Sequence, residues 1–215
     1  MHISISARST PMSRFMIKVL MVDVDGVLIN GRPWDGKHWS TDLETDLGLS
    51  PSLFHERFFT PYWDKIVTGK LDILSALKPV LSDLSPYLTP EEFIAYWFKN
   101  DARLNTELIE SLEFYRSAGV RIYLATNQEH LRAEYITQTL KLGKLVDAVY
   151  YSAALGVKKL DHAFFEKVTN LSKLRPEEII LIDDTLANII AAKECGWHAI
   201  HWTKESDLAS ELAQF

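Results

Sequence analysis

Two tight groups of aspartates stand out in this 215-residue sequence. Asp23-Val24-Asp25-Gly26 lies near the start and Ile182-Asp183-Asp184-Thr185 near the end, each directly after a short apolar run. Ala125-Thr126-Asn127 closes another such run, and Lys158-Lys159-Leu160-Asp161 follows before the second aspartate group. Neighbouring carboxylates repel, so several of them stay charged together only beside a cation. An all-oxygen donor set, with no His/Cys cluster at zinc spacing, points to a small hard ion, Mg²⁺ before Zn²⁺. Taken singly, each acid could instead cap the helix that follows it. That reading serves for Asp183 or Thr185 alone, but not for Asp-x-Asp-Gly and Asp-Asp together.

The elements that must position these groups read as a parallel sheet with helices between its strands. Residues 17–22, 120–125, 148–151, 179–182 and 198–202 are short apolar runs, rich in β-branched side chains. Such runs suit strands buried on both faces. Between them, Leu108, Leu112 and Tyr115 share one helical face that ends at Gly119, and Leu131, Tyr135 and Ile136 repeat the pattern before Gly143. Asp161 can cap a helix carrying Phe164, Phe165, Val168 and Leu171, and a further helix starts near Thr185 and stops at Cys195-Gly196. Strand–helix alternation of this kind predicts an open, doubly wound α/β core. Ligands of such sheets bind beyond the carboxyl ends of the strands, where Asp23, Asp25, Thr126, Asn127, Asp183 and Asp184 stand.

One segment breaks the alternation. Residues 30–105 hold four helical pieces, at 43–49, 52–67, 73–84 and 91–98, separated by proline or glycine. That is far longer than a βα loop of about 2–6 residues. The expected organisation is therefore a core of residues 1–29 and 106–215, with 1–14 a flexible tail, and a helical insertion domain at 30–105.

Composition narrows the class. Hydrophobic residues make up 47% and charged residues 24%, so the chain is globular. Its size suffices for a core without disulfides or structural metal. With 23 basic against 29 acidic residues the net charge is −6, which disfavours a nucleic-acid partner. No apolar run approaches the ~18 residues of a membrane span. The single cysteine, Cys195, can form no internal disulfide and fits a reducing, cytoplasmic setting as a packed structural thiol. Walker A, dinucleotide-fingerprint and HExxH motifs are absent. The expected assembly is a monomer or homodimer.

The four motifs, in their order, resemble those of the haloacid dehalogenase (HAD) superfamily over roughly residues 16–203. Asp23-Val24-Asp25-Gly26-Val27-Leu28 looks like motif one, Ala125-Thr126-Asn127 like motif two, Lys158-Lys159-Leu160-Asp161 like motif three and Ile182-Asp183-Asp184-Thr185 like motif four. The resemblance implies a Rossmann-like core whose insertion after the first strand is a helical, substrate-selecting cap. It implies Asp23 as nucleophile, forming an aspartyl-phosphate. Asp25 would be the general acid and base, its backbone carbonyl a metal ligand. Thr126 and the Asn127 amide would hold the phosphoryl oxygens, and a lysine would balance their charge. The usual Lys-Pro-Asp spacing selects Lys159 over Lys158, although Leu160 replaces the proline. Mg²⁺ would bridge Asp23, the phosphate and motif four, with Asp184 the first ligand and Asp183 a second or outer one. Asn188 either braces the motif-four loop or is an ordinary helix position.

The activity so implied is a Mg²⁺-dependent phosphatase of small phosphorylated metabolites such as sugar phosphates. Glucose-1-phosphate phosphatase-like proteins and the phosphatase domain of epoxide hydrolases are the members it most resembles. A 2-haloacid dehalogenase, against which Asp25 argues, a phosphosugar mutase and a non-catalytic binding protein on the same scaffold are the alternatives. Trp34, His38 and Trp39 follow motif one where the cap begins, and a substrate-facing role is expected there, with Trp34 in substrate binding. Phe54, Phe58, Phe59, Tyr62 and Trp63 read as cap core. His198 and His201, three apart on a strand, face opposite sides and share no metal.

Overall fold

The structure, a computed structural model, describes residues 17–215; the tail expected at 1–14 lies outside the described residues. Five parallel strands form one sheet: β1 (Val19–Val22), β2 (Arg121–Thr126), β3 (Ala148–Tyr151), β4 (Ile179–Asp183) and β5 (His198–His201). Their spatial order is β3-β2-β1-β4-β5, so β1 is central and is flanked by β2 and β4. β1 and β4 are buried throughout, as continuous apolar runs demand. β3 is only half-buried, contrary to the sequence reading. It is an edge strand with a neighbour on one side, so one flank stays open despite its apolar sequence.

Alternate side chains of β1 face opposite layers. Leu20 and Val22 pack with Leu108 and Leu112 of α6 (Thr106–Ser117) and Leu208 of α11 (Leu208–Leu212). Val19 and Met21 pack with Phe164, Phe165 and Val168 of α9 (His162–Ser172) and Ile189 of α10 (Leu186–Glu194). The sheet is thus covered on both faces, a doubly wound core. Two details differ from expectation. Leu171 is exposed on α9 rather than part of its apolar face. Asp161 occupies the N-cap of α9 but its side chain makes no capping hydrogen bond. Two short helices, α7 (His130–Glu134) and α8 (Ser152–Leu155), follow β2 and β3.

The insertion between β1 and α6 is helical throughout its regular elements. It comprises α1 (Leu43–Leu47), α2 (Pro51–Phe54), α3 (Thr60–Val67), α4 (Ile73–Leu84) and α5 (Pro90–Asn100), with a π-helical turn at His55–Phe59 joining α2 to α3. Its start signals are local. Asp72 accepts from Ser75 N at 2.8 Å to cap α4, and Thr89 with Glu92 forms a capping box on α5. A separate apolar cluster holds it together: Phe54, Phe58, Phe93, Trp39 and Trp97, with Phe59, Tyr62 and Trp63 half-buried against them. Trp39, expected to face substrate, is 7% exposed and stacks on Trp97 with ring centres 5.0 Å apart. It is a core residue of the insertion, its large apolar surface removed from water.

The chain enters and leaves the insertion side by side. Asn30 N donates to Arg103 O (2.9 Å), Arg103 N to Gly31 O (3.0 Å) and Asn105 N to Leu28 O (2.9 Å), making an antiparallel bridge at Ile29 and Leu104. A second contact lies at the far rim, where Lys158 of the core pairs with Asp64 of α3 at 2.6 Å. Among the described residues no helix is long and apolar enough to cross a membrane.

Candidate active site

β1 ends at Val22, and the chain at once turns back on itself: the N–H groups of Leu28 and Ile29 both donate to Val24 O. Asp23 lies before that turn and points into the rim of the sheet. Its Oδ1 accepts from Val24 N (2.7 Å) and lies 2.8 Å from the Lys159 ammonium. Lys159, 1% exposed, also donates to Asp183 Oδ2 at 2.6 Å. Its own position is fixed by Asn127, whose Oδ1 accepts from Lys159 N at 2.7 Å. Asp183 is fully buried and fully engaged. Thr185 N donates to Oδ1 (2.8 Å), and Asn188 Nδ2 reaches both oxygens at 3.1 and 3.2 Å. Asn188 therefore braces the loop. Asp184, exposed, completes a trio in which Asp23, Asp183 and Asp184 bring carboxylate oxygens within 4.8 Å of one another.

Gly26 is indispensable to this trio. Its φ is +84°, and a Cβ built there would stand 2.1 Å from Asp184 Oδ2. Only a residue without a side chain lets the turn after β1 meet the loop after β4 this closely.

The charge balance of the rim is unfinished. Burial pushes Asp23 up to about 7, with Lys159 pulling it down and Asp183 pushing it further up. Burial and the Asp183 charge also raise Asp184. Lys159 lies above its ordinary value because its two carboxylates outweigh its burial. One ammonium thus serves three acids, and a further positive charge is favoured. The donors are all hard oxygens, so the residues present fit a divalent cation of the Mg²⁺ type. Asp183 is already spent on Lys159, Asn188 and the Thr185 amide, whereas Asp23 and Asp184 keep oxygens free of protein donors.

Asp25 stands apart. Of the four acids expected on this rim, three bring their carboxylates together and the Asp25 carboxylate is not in the trio. It is 49% exposed and turns to α7 and its approach, accepting from Gln128 Nε2 at 2.6 Å and facing Arg132 Nη2 at 3.4 Å. Gln128 also donates to Thr126 Oγ1 at 3.3 Å, so it ties Asp25 to the buried hydroxyl of motif two. Lys158 does not enter the site; it serves the contact with the insertion. Trp34 is 59% exposed, with the Arg32 guanidinium 5.3 Å from its ring centre. A groove of about 840 Å³ opens beside Gly26 and Asp184, walled by Asn30, Arg103, His201 and Lys204 but not by Trp34.

Sequence reasoning missed Gln128 and Arg132, and weighed His201 only against a metal shared with His198; its Nε2 lies 2.8 Å from Asp184 O. Gln128 carried a signal, since it stands two residues beyond Thr126 at a strand's carboxyl end. Arg132 carried none, because its partners are 107 and 31 residues away in the chain.

Comparison with known proteins follows the same lines. The family of haloacid dehalogenase-like hydrolases matches residues 17–196. A sesquiterpene phosphatase of Aspergillus oryzae is 26% identical over 204 residues, covering 92% of this chain and 95% of that protein. A HAD family enzyme from Bacteroides thetaiotaomicron, solved in complex with magnesium and inorganic phosphate, superimposes with a TM-score of 0.75 at 19% identity, over 90% of this chain and 98% of that one. The L-2-haloacid dehalogenase of Xanthobacter autotrophicus gives 0.62 at 17% identity, over 93% and 83%. A family match spanning most of the chain, on a doubly wound core with the motif residues at its carboxyl rim, shows that this protein belongs to the haloacid dehalogenase-like hydrolases.

Proposed function

We propose that the protein is a Mg²⁺-dependent phosphatase of small phosphorylated metabolites, working through a covalent phosphoryl group on Asp23. The observation that carries this reading is the division of labour between two carboxylates. Asp23 is buried against Lys159, while Asp25, two residues on, is half-exposed and held by Gln128. In the first step an Asp23 oxygen attacks phosphorus, the ester P–O bond breaks, and Asp25 gives its proton to the leaving oxygen. In the second, Asp25 takes a proton from water as that water attacks phosphorus; phosphate leaves and the Asp23 carboxylate returns. The Thr126 hydroxyl and the Asn127 amide hold phosphoryl oxygens, and Lys159 offsets their charge. Asp23, Asp184 and the Asp25 carbonyl, with Asp183 behind them, would hold Mg²⁺, which would supply neutralising charge to the site.

The substrate side rests on the insertion, acting as a cap, and on Trp34, an exposed aromatic braced by Arg32. Likeness to a sesquiterpene phosphatase extends the candidate substrates from sugar phosphates to apolar phosphomonoesters. A lone thiol fits a cytoplasmic setting. The test is phosphate release from a panel of both kinds, with Mg²⁺ and after exhaustive chelation. Hydrolysis that stops with chelator is expected; full activity without metal, or halide release from a 2-haloacid instead, overturns the reading.

A further inference from the structure

Arg132 is a buried cation that the chemistry above does not use. It lies at the middle of α7, 3% exposed, in a core helix that begins four residues after the end of β2. Glu129, also buried, fixes this turn by accepting from the N–H groups of Leu131 and Arg132. The guanidinium then reaches across the boundary between core and insertion. Nη2 donates to Asp101 O at 2.6 Å and lies 3.3 Å from Asp101 Oδ2. Asp101 is the C-cap of α5, directly after the insertion's last helix, so a cation here also meets the negative end of that helix. The plane of the group is held by aromatic faces: Phe98 of α5 at 5.2 Å and Tyr135 at 5.6 Å, themselves 5.2 Å apart. The same Nη2 faces Asp25 Oδ1 at 3.4 Å. One nitrogen of a planar group held against aromatic faces therefore touches both the end of the cap and the carboxylate proposed to protonate the leaving group.

We infer that Arg132 is a positioning residue that ties the aim of Asp25 to the seating of the cap. The proposal rests on the reading of Asp25 as proton donor. Gln128 restrains one oxygen of Asp25 from the core, and Arg132 restrains the other only from a place set by Asp101 and Phe98 of the insertion. With α5 seated, both oxygens are held; with α5 displaced, Arg132 loses its fixed partners and Asp25 keeps one restraint. Two close carboxylates, Asp25 and Asp101, would then also face each other without the shared cation. Proton donation is in this way confined to the state in which the cap covers the substrate, which limits idle turnover of the covalent intermediate.

A leaving-group comparison tests the idea. An alkyl phosphate needs its leaving oxygen protonated; p-nitrophenyl phosphate does not. Arg132→Lys keeps the charge but loses the planar group that Phe98 and Tyr135 hold in place, and Asp101→Asn keeps the backbone acceptor while removing the ion pair. Each variant, checked for an unchanged melting curve, should lower kcat for the alkyl phosphate by about tenfold, a part of the roughly 10²–10⁴-fold that general acid help commands, with KM nearly constant and kcat for p-nitrophenyl phosphate nearly unchanged. Equal losses on both substrates, or a change confined to KM, overturn the proposal and leave Arg132 a structural strut. Asp25→Asn is the control for the underlying reading. If it shows the leaving-group bias and the Arg132 and Asp101 variants do not, the inference alone fails; if it shows none, the reading of Asp25 fails with it.

Discussion

Asp23 and Asp25 are two residues apart and have little else in common. Asp23 is set by the core: β1 aims it, Lys159, itself held by Asn127, pairs with it, and Asp183 with Asn188 closes the ring behind. Asp25 is set at a boundary, by Gln128 from the core and by an arginine whose other partners belong to the insertion. A half built entirely on the core is held without help from the insertion. A half built across two bodies is complete only when those bodies meet.

The sharpest way to break this comparison is to neutralise each carboxylate in turn. Asp23→Asn should abolish phosphate release from every substrate, by at least about 10⁴-fold, since an amide cannot form the covalent intermediate. Asp25→Asn should cost roughly 10²–10⁴-fold on alkyl phosphates and far less on p-nitrophenyl phosphate. Steady-state rates on the two substrates decide it; a uniform loss for Asp25→Asn would erase the distinction.

Loosening the insertion should strike one half only. Trp39→Ala removes a buried ring from the cap core and should destabilise it by about 3–5 kcal/mol, read as an early phase in calorimetry. Rates on alkyl phosphates should then fall more than those on p-nitrophenyl phosphate. The converse variant is Gly26→Ala, which collides with Asp184 and leaves the insertion untouched. It should raise the Mg²⁺ concentration needed for half-maximal rate on all substrates alike, with a stability cost of about 1–2 kcal/mol for the left-handed backbone. Smallest of all, Trp34→Ala should leave the melting curve in place and alter the ranking of phosphorylated metabolites, not the rate on p-nitrophenyl phosphate. Equal change on every substrate would remove Trp34 from selection.

The sheet was legible because its strands are short apolar runs that end in functional residues, so periodicity and chemistry marked the same positions. Asp23, Asp183 and Asp184 were legible for the same reason, each standing at or just beyond a strand's carboxyl end, whereas Lys159 lies in the loop between α8 and α9. The choice between Lys158 and Lys159 turned on motif spacing alone, and the structure sends one to the cap and the other under Asp23. What the sequence hid was direction. Nothing in Asp-Val-Asp says that the turn after β1 throws its second carboxylate outward. Nor does a tryptophan at the start of an insertion reveal whether it faces solvent, as Trp34 does, or its own core, as Trp39 does. Those outcomes depend on packing between segments tens of residues apart.

The paired crossings at Ile29 and Leu104 carry a consequence for how such a molecule can change. Because the two strands of the neck hydrogen-bond to each other, the ends of the inserted segment are neighbours whatever lies between them. Bringing its ends together adds only a loop-closure entropy that grows slowly with length. The neck is therefore a socket: a body of different size can stand between its two ends while β1 and β2 keep their register.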